Sequence, residues 1–471
     1  MHLSSFGFLN SFILILYLFF LLVIGFYFSK KNKNLDYFFI GNRNLPWLPV
    51  AMSIFASVTS ATTFIAVPGL IISQNISFIS IGLASLFVAP IIMKIFYSKY
   101  HQMKLITSYE YLNNRFGYNA QLYASLLYIL FRLSWLGLVI YAPALTLSIT
   151  TNIPIFSCIL LMGLISTIYS TLGGISAVIW TDVVQFIILL ISIIWIAILL
   201  PYQIDGGLNS IIDLSKLSGK FDIMDWKNLA TLSAPLIGIH FFLQLMYDYG
   251  TDQITVQRMM ATGTQNKTIK AIMFNAIADL LIISLLIFIG LGLFVFYLNN
   301  PLPDQISGDK ILPYYIIKEL PNGLSGLLIT AIFAAAMSSM DSGINTISTV
   351  LIKNTPIKIR KNLKTARSIS IVLGFMTTIL ALFISKTSNL LIENFYNFMS
   401  LLCAPILALF LLGVLTKKGN FSGWLVGLIF SIISTLWIQY FDIIHSMYLF
   451  TFSFILCFIT GFLFSYLFNK K

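Results

Sequence analysis

The chain has 471 residues, 58% of them hydrophobic and 9% charged, with a net charge of +12 and a mean hydropathy of +0.92. A soluble fold of this length has no core large enough for that much apolar surface, which excludes a soluble enzyme and leaves a polytopic membrane protein. The positive charge follows membrane topology and not a nucleic-acid surface, so no nucleic-acid partner is expected.

Thirteen apolar runs long enough to cross the hydrocarbon lie at 11–28, 47–71, 77–98, 120–149, 153–172, 176–202, 229–249, 268–298, 323–352, 368–385, 390–415, 422–440 and 446–467. The chain therefore reads as an all-α membrane protein of about 13 transmembrane helices. The first run has no Lys or Arg before it and exceeds a signal-peptide core, so it reads as a retained span with its N-terminus outside. Most of the 28 Lys and Arg then fall in cytoplasmic connections, among them Lys30, Lys94, Arg115, Arg258, Lys270, Lys353, Arg360 and Lys417. Lys216, Lys220, Lys227, Lys310, Lys318 and Lys386 lie on the opposite side, and Arg132 is intramembrane. An odd number of spans with a cytoplasmic C-terminus satisfies this bias at every loop, which places the chain in the cytoplasmic membrane in contact with lipid. The basic cluster around Pro356 is read as topology and anionic-lipid contact.

Cys158, Cys403 and Cys457 lie inside these runs without CxxC spacing, so neither a disulfide framework nor a zinc site is indicated. The longest connections, 203–228 and 299–322, contain Gly206, Gly207, Pro301 and Pro303 and are expected to hold short surface helices. The whole of 1–471 reads as one transport domain.

Two runs look interruptible. The second has Pro49 at its mouth, the hydroxyl-rich SVTSATT from Ser57 to Thr63, then Pro68 and Gly69; the seventh has Pro235, Gly238 and a polar run from Gln244 to Gly250. Broken helices at corresponding positions of two halves point to an inverted repeat with a site near the bilayer midplane. The halves would be 47–202 and 229–415, with 11–28 and 422–467 peripheral.

The ninth run contains AIFAAAMSSMDSGIN (331–345), in which Ser338, Asp341, Ser342 and Asn345 repeat at i, i+3, i+4, i+7 as one polar stripe. An aspartate near the bilayer centre costs about 2.5–3.5 kcal/mol and normally marks an ion or substrate path. In the second run Ala56, Thr59, Ser60 and Thr63 share the same spacing, so loosened carbonyls and hydroxyls there can meet Ser338 and Ser339 as oxygen ligands for a hard cation. The bland alternative is that these hydroxyls bond their own helices or glue two helices together.

Asp182, with Gln185 on the same face, is a second cation ligand or a paired carboxylate; Asp341 and Asp182 can share one ion, since two unpaired acids in a dry site need a cation or proton. Arg132, Asp248 and Asp279 are the remaining intramembrane charges. Arg132 either pairs with a carboxylate or, like Asp248, faces a solute, with Gln244 and Tyr247 as hydrogen-bonding groups beside His240 and the aromatics Phe241, Phe242 and Tyr249. No GxxxxGK[ST], HExxH or GxSxG motif occurs, so no enzyme activity and no cofactor beyond a coupling ion is expected.

Six ordered segments, DYFFIGNRNLPW, SIFASVTSATTF, ITSYEYLNNRFG, GGISAVIWTDVVQ, TDQITVQR and AIFAAAMSSMDSGIN, resemble the sodium:solute symporters, the group of sodium-coupled sugar, proline, vitamin, iodide, monocarboxylate and sialic acid transporters. The resemblance implies a LeuT-type 5+5 inverted repeat and alternating access. It implies a sodium site at Ala56, Thr59, Ala335, Ser338 and Ser339, where Thr59 departs from the usual aliphatic residue but donates only its carbonyl. It further implies a second cation site at Asp182, Ser338, Asp341 and Ser342, taking Na+ or a proton, with Asp341 acidic where hydroxyls are commoner.

Ser60 and Thr63 match solute-contacting positions of bacterial sialic acid transporters. The arginine that takes the carboxylate there aligns with Trp135, one turn from Arg132, while YAPALTLS (141–148) is similar to the monocarboxylate and vitamin branch. The expectation is a Na+-coupled symporter for a sialic acid, sugar or related organic acid, or alternatively a monocarboxylate- or vitamin-type anion. A Na+-independent facilitator and a membrane sensor are the rivals from other classes.

Overall fold

A backbone in hydrocarbon has no water to bond, so apolar runs of this length close their hydrogen bonds internally as helices. The computed structural model describes residues 7–31, 34–59, 61–151, 153–223, 233–304, 306–354, 362–386 and 391–468, and no strand occurs among them. In chain order the helices are α1 (Phe8–Ser29), α2 (Leu35–Ile40), α3 (Trp47–Val58), α4 (Ala61–Ser73), α5 (Ile79–Ile92), α6 (Ser98–Met103), α7 (Tyr109–Phe116), α8 (Tyr118–Thr151), α9 (Ile155–Tyr202) and α10 (Gly207–Leu217). They continue with α11 (Ala234–Gly250), α12 (Gln253–Ala261), α13 (Gln265–Asn299), α14 (Ile311–Lys318), α15 (Leu324–Asn354), α16 (Leu363–Ile384), α17 (Leu391–Leu415), α18 (Phe421–Tyr440) and α19 (Leu449–Phe468). Among the described residues ten helical stretches are long and apolar enough to cross a membrane, and the bent pair α3–α4 makes an eleventh candidate.

α9 runs for 48 residues, about 72 Å at the helical rise and more than twice the hydrocarbon thickness. It turns at Gly174, with φ 59° and ψ −165°, a region essentially restricted to glycine. A Cβ there would sit 2.8 Å from the carbonyl oxygen of Phe38 on α2. Gly174→Ala is therefore expected to destabilise the fold by about 1–3 kcal/mol, read as a lower Tm of the purified protein; an unchanged Tm contradicts this account.

The two interruptions fall differently. α3 and α4 meet at 54°, where Thr59 leaves the helical range at ψ 93°, inside the hydroxyl-rich stretch. The seventh run does not break at Pro235 or Gly238. Pro235 lies in the first turn of α11, where its missing N–H leaves no bond unmade. The break comes after Gly250, at Thr251 (φ −127°) and Asp252 (ψ 132°).

α15 is the axis of the molecule: every residue from Leu328 to Val350 is buried, its polar stripe included. α9, α8, α1, α3 and α16 pack around it. At the periphery α1 presents Phe8, Ile15, Phe19 and Phe26, and α18 presents Phe430, Ile433 and Trp437, the outward apolar faces expected of lipid-facing helices. α10 and α14 supply the short helices expected in the two longest connections. The basic stretch at 355–361 lies outside the described residues.

Candidate functional site

The polar face of α15 meets the loosened end of α3. Ser338 Oγ lies 2.6 Å from the carbonyl oxygen of Ala56 and 3.0 Å from that of Ala335. Ser339 Oγ lies 3.1 Å from the carbonyl oxygen of Ser57 and 3.4 Å from that of Ala335. Both serines are fully buried. The structure thus brings Ala56, Ala335, Ser338 and Ser339 to one crossing and adds Ser57, a residue the spacing argument passed over. Thr59 stands at the end of the same segment, its N–H on the Phe55 carbonyl at 2.8 Å and its carbonyl turned out of the helical direction. The carbonyls of Ala56, Ser57 and Ala335 and the two serine hydroxyls are five oxygens, a donor set suited to a hard cation.

One turn further along α15 is a second polar cluster. Ser342 Oγ bonds the Ser338 carbonyl and lies 2.8 Å from Ser57 Oγ and 3.2 Å from Asp341 Oδ1. Asp341 Oδ2 accepts from Tyr169 OH at 2.8 Å and from Thr181 Oγ1 at 3.5 Å. Asp182 Oδ2 accepts from Ser53 Oγ at 2.5 Å and Ser57 Oγ at 3.3 Å. All four expected residues, Asp182, Ser338, Asp341 and Ser342, belong to this cluster.

The cluster also contains Arg258, and its assignment to the cytoplasmic basic residues has to be corrected. Arg258 is fully buried. Its Nε donates to Ser53 Oγ at 2.7 Å, and its Nη2 donates to Ser342 Oγ at 2.5 Å and to Asp182 Oδ2 at 3.1 Å. The break at Thr251–Asp252 explains the error: it turns α12 back against α3 and α15, so a residue beyond the end of the run points inward. Asp182 is thus paired, although its Oδ1 has no partner among the described residues.

Beside the α3 break lies a cavity of about 170 Å³, walled by α3, α4, α8, α11, α13 and α17. Thr63, Arg132, Gln244 and Asp248 line it, as do Ser57 and Thr59. Gln244 Oε1 is held by His240 Nε2 at 2.9 Å. Arg132 pairs with Asp252 at 2.6 Å, an acid supplied by the second break and not singled out from the sequence, although TDQITVQR contains it. Its guanidinium carbon lies 4.7 Å from the centre of the Trp135 ring. Tyr247 does not reach the cavity: it is fully buried and packs towards Phe450 at a ring separation of 6.3 Å. Ser60 lies outside the described residues.

A broken helix that meets a buried, hydroxyl-bearing one beside a cavity with charged groups in its wall is the arrangement expected of an ion-coupled transporter. The sequence pattern of the sodium:solute symporter family matches residues 38–431, and the chain belongs to that family. It is 32% identical to the sodium/sialic acid symporter of Proteus mirabilis over 453 residues, 93% of this chain and 91% of that one. It is 29% identical to the sodium/sialic acid symporter of Aliivibrio fischeri over 451 residues, 93% and 89% of the two chains. The solved structure of a Na+-coupled sialic acid symporter in a substrate-bound outward-open state matches with a TM-score of 0.91 at 29% identity, covering 98% of each chain. The protein is accordingly a membrane transporter that couples Na+ to an organic solute, and not an enzyme.

Proposed function

We propose that one Na+ binds at the α3–α15 crossing, on the carbonyls of Ala56, Thr59 and Ala335 and the hydroxyls of Ser338 and Ser339, and drives uptake of a small polar solute held in the adjoining cavity. The observation that carries this reading is the placement of both serine hydroxyls within 2.6–3.4 Å of carbonyl oxygens on and beside the α3 break. Each hydroxyl has one proton to turn away, after which its lone pairs face the ion. Thr63, Arg132, Gln244 and Asp248 are the solute-facing residues among the described ones, and Ser60 is retained from the sequence as a further solute contact.

A second cation, Na+ or H+, is assigned to Asp182, Ser338, Asp341 and Ser342. Two carboxylates against the Arg258 guanidinium leave one negative charge, and Asp182 Oδ1 has a free acceptor position. The architecture we infer is thirteen spans. α9 counts twice because of its turn at Gly174, and α11–α12 forms a broken span. The LeuT-type 5+5 repeat pairs 47–202 with 229–415, each half opening on a broken helix, with 11–28 and 422–467 outside the repeat. The N-terminus lies outside and the C-terminus in the cytoplasm, as the basic connections favour.

One charge crossing 100 mV is worth about 2.3 kcal/mol and a tenfold gradient about 1.4 kcal/mol, so one Na+ supports roughly 500-fold accumulation. Proteoliposomes given an inward Na+ gradient are expected to concentrate solute and to stop when K+ replaces Na+. Flux indifferent to Na+ would establish a facilitator instead. A second reading, an anionic solute such as a sialic acid, is favoured by Arg132 on the cavity wall and by the named relatives, and it requires Asp252 to release the guanidinium.

A further inference from the structure

The cavity holds an imbalance of charge that bears on what it binds. Three carboxylates line it, Asp248, Asp252 and Asp279, against a single cationic side chain among the described residues, Arg132. Arg132 and Asp252 close on each other at 2.6 Å and cancel. Asp279 receives Ser85 Oγ at 2.6 Å and Tyr249 OH at 2.8 Å, and Asp248 lies on the same wall one turn after Gln244. Hydroxyls orient a carboxyl group and bring it no opposite charge.

The rest of the wall is mostly aromatic and aliphatic, with Phe55, Phe131, Trp135, Phe241 and Tyr396 among its members. In such surroundings a carboxylate calls for a counter-charge or a proton. Neither acid belongs to the set assigned to Na+, whose two serines do not line the cavity. Two buried wall atoms also lack any partner in the described structure: Arg132 Nε, a donor, and Asp252 Oδ1, an acceptor, on residues 6% and 1% exposed. Both are enclosed and come within reach of a ligand only when the Arg132–Asp252 pair opens.

We propose that the solute is an organic amine: its ammonium group sits between Asp248 and Asp279, and its carbon skeleton lies against the aromatic wall, whose ring faces favour a cation. This rests on the reading of the cavity as the solute site. It differs from a carboxylate-first mode of binding, since an anion entering here meets two acids without a basic partner among the described residues and an arginine already engaged.

The test is the Tm of the full-length detergent-purified protein in NaCl and in KCl, with matched probes: glucosamine against glucose, proline against lactate, choline, and N-acetylneuraminate. At least one amine is expected to raise Tm in NaCl above its amine-free counterpart. Asp248→Asn and Asp279→Asn are each expected to weaken that amine tenfold or more while the shift caused by Na+ alone persists, which shows that the variants fold. Stabilisation by glucose, lactate or N-acetylneuraminate without stabilisation by any amine overturns the inference and leaves Na+-coupled transport standing. No shift from any amine likewise overturns it. Loss of the Na+ shift in the unmutated protein instead removes the Na+-site reading on which the proposed function rests.

Discussion

Arg258→Ala is expected to lower the Tm of the purified protein by several degrees and to abolish Na+-driven uptake. The guanidinium is fully buried and bonds Ser53, Ser342 and Asp182, which lie on three different helices. Removing it leaves the Asp182 carboxylate in a dry interior without its cation, and breaking a buried pair from one side costs about 3–5 kcal/mol. Adding Asp182→Asn to the same chain is expected to restore much of the loss, because the uncompensated charge disappears and the two effects are then far from additive. Arg258→Lys keeps the charge but not the planar fork that reaches several oxygens at once, and is expected to lie between. A single alanine variant as stable as the unmutated protein would show that Asp182 does not depend on this partner.

Ser339→Ala is expected to raise the Na+ concentration for half-maximal uptake by roughly tenfold to hundredfold, taking about 1.5–3 kcal/mol for a polar contact to a charge and tenfold per 1.4 kcal/mol. Its hydroxyl makes no tie to a distant side chain, only contacts of 3.1 and 3.4 Å with two carbonyls, so the variant is expected to fold and to bind solute at saturating Na+. Ser338→Ala removes the closer contact at 2.6 Å and is expected to act at least as strongly. Initial uptake rates measured against Na+ concentration decide the matter, and an unshifted curve for both variants removes Na+ from this crossing.

The helical character of the membrane runs was legible because hydrocarbon leaves the backbone no alternative, and the α3–α4 bend because Thr59 lies among residues whose side chains compete with the backbone for hydrogen bonds. The meeting of Ser338 and Ala56 was legible from two matching spacings on separate helices. The break of the seventh run was placed too early. Pro235 interrupts a helix only in its interior, and nothing in the sequence says where the helix begins. Arg258 was misread for a related reason: topology counts assign a basic residue by its distance along the chain from a span, and a helix that breaks and turns back carries its residues inward. Asp252 and Ser53 carried no periodic signal, since each acts through a partner more than a hundred residues away in sequence, Arg132 and Asp182 respectively. Tyr247 was assigned to the solute as a hydrogen-bonding group beside Gln244, yet it is not part of the cavity wall.

Residues 56 to 59 stand in two places at once. The carbonyls of Ala56 and Ser57 face the serines of α15, while Ser57, Val58 and Thr59 form part of the cavity wall. Whichever guest arrives first therefore pays the entropy of ordering that short piece of backbone, and the other finds it already set. The factor by which saturating Na+ tightens solute binding must then equal the factor by which saturating solute tightens Na+, so two separate titrations of one preparation have to return the same number.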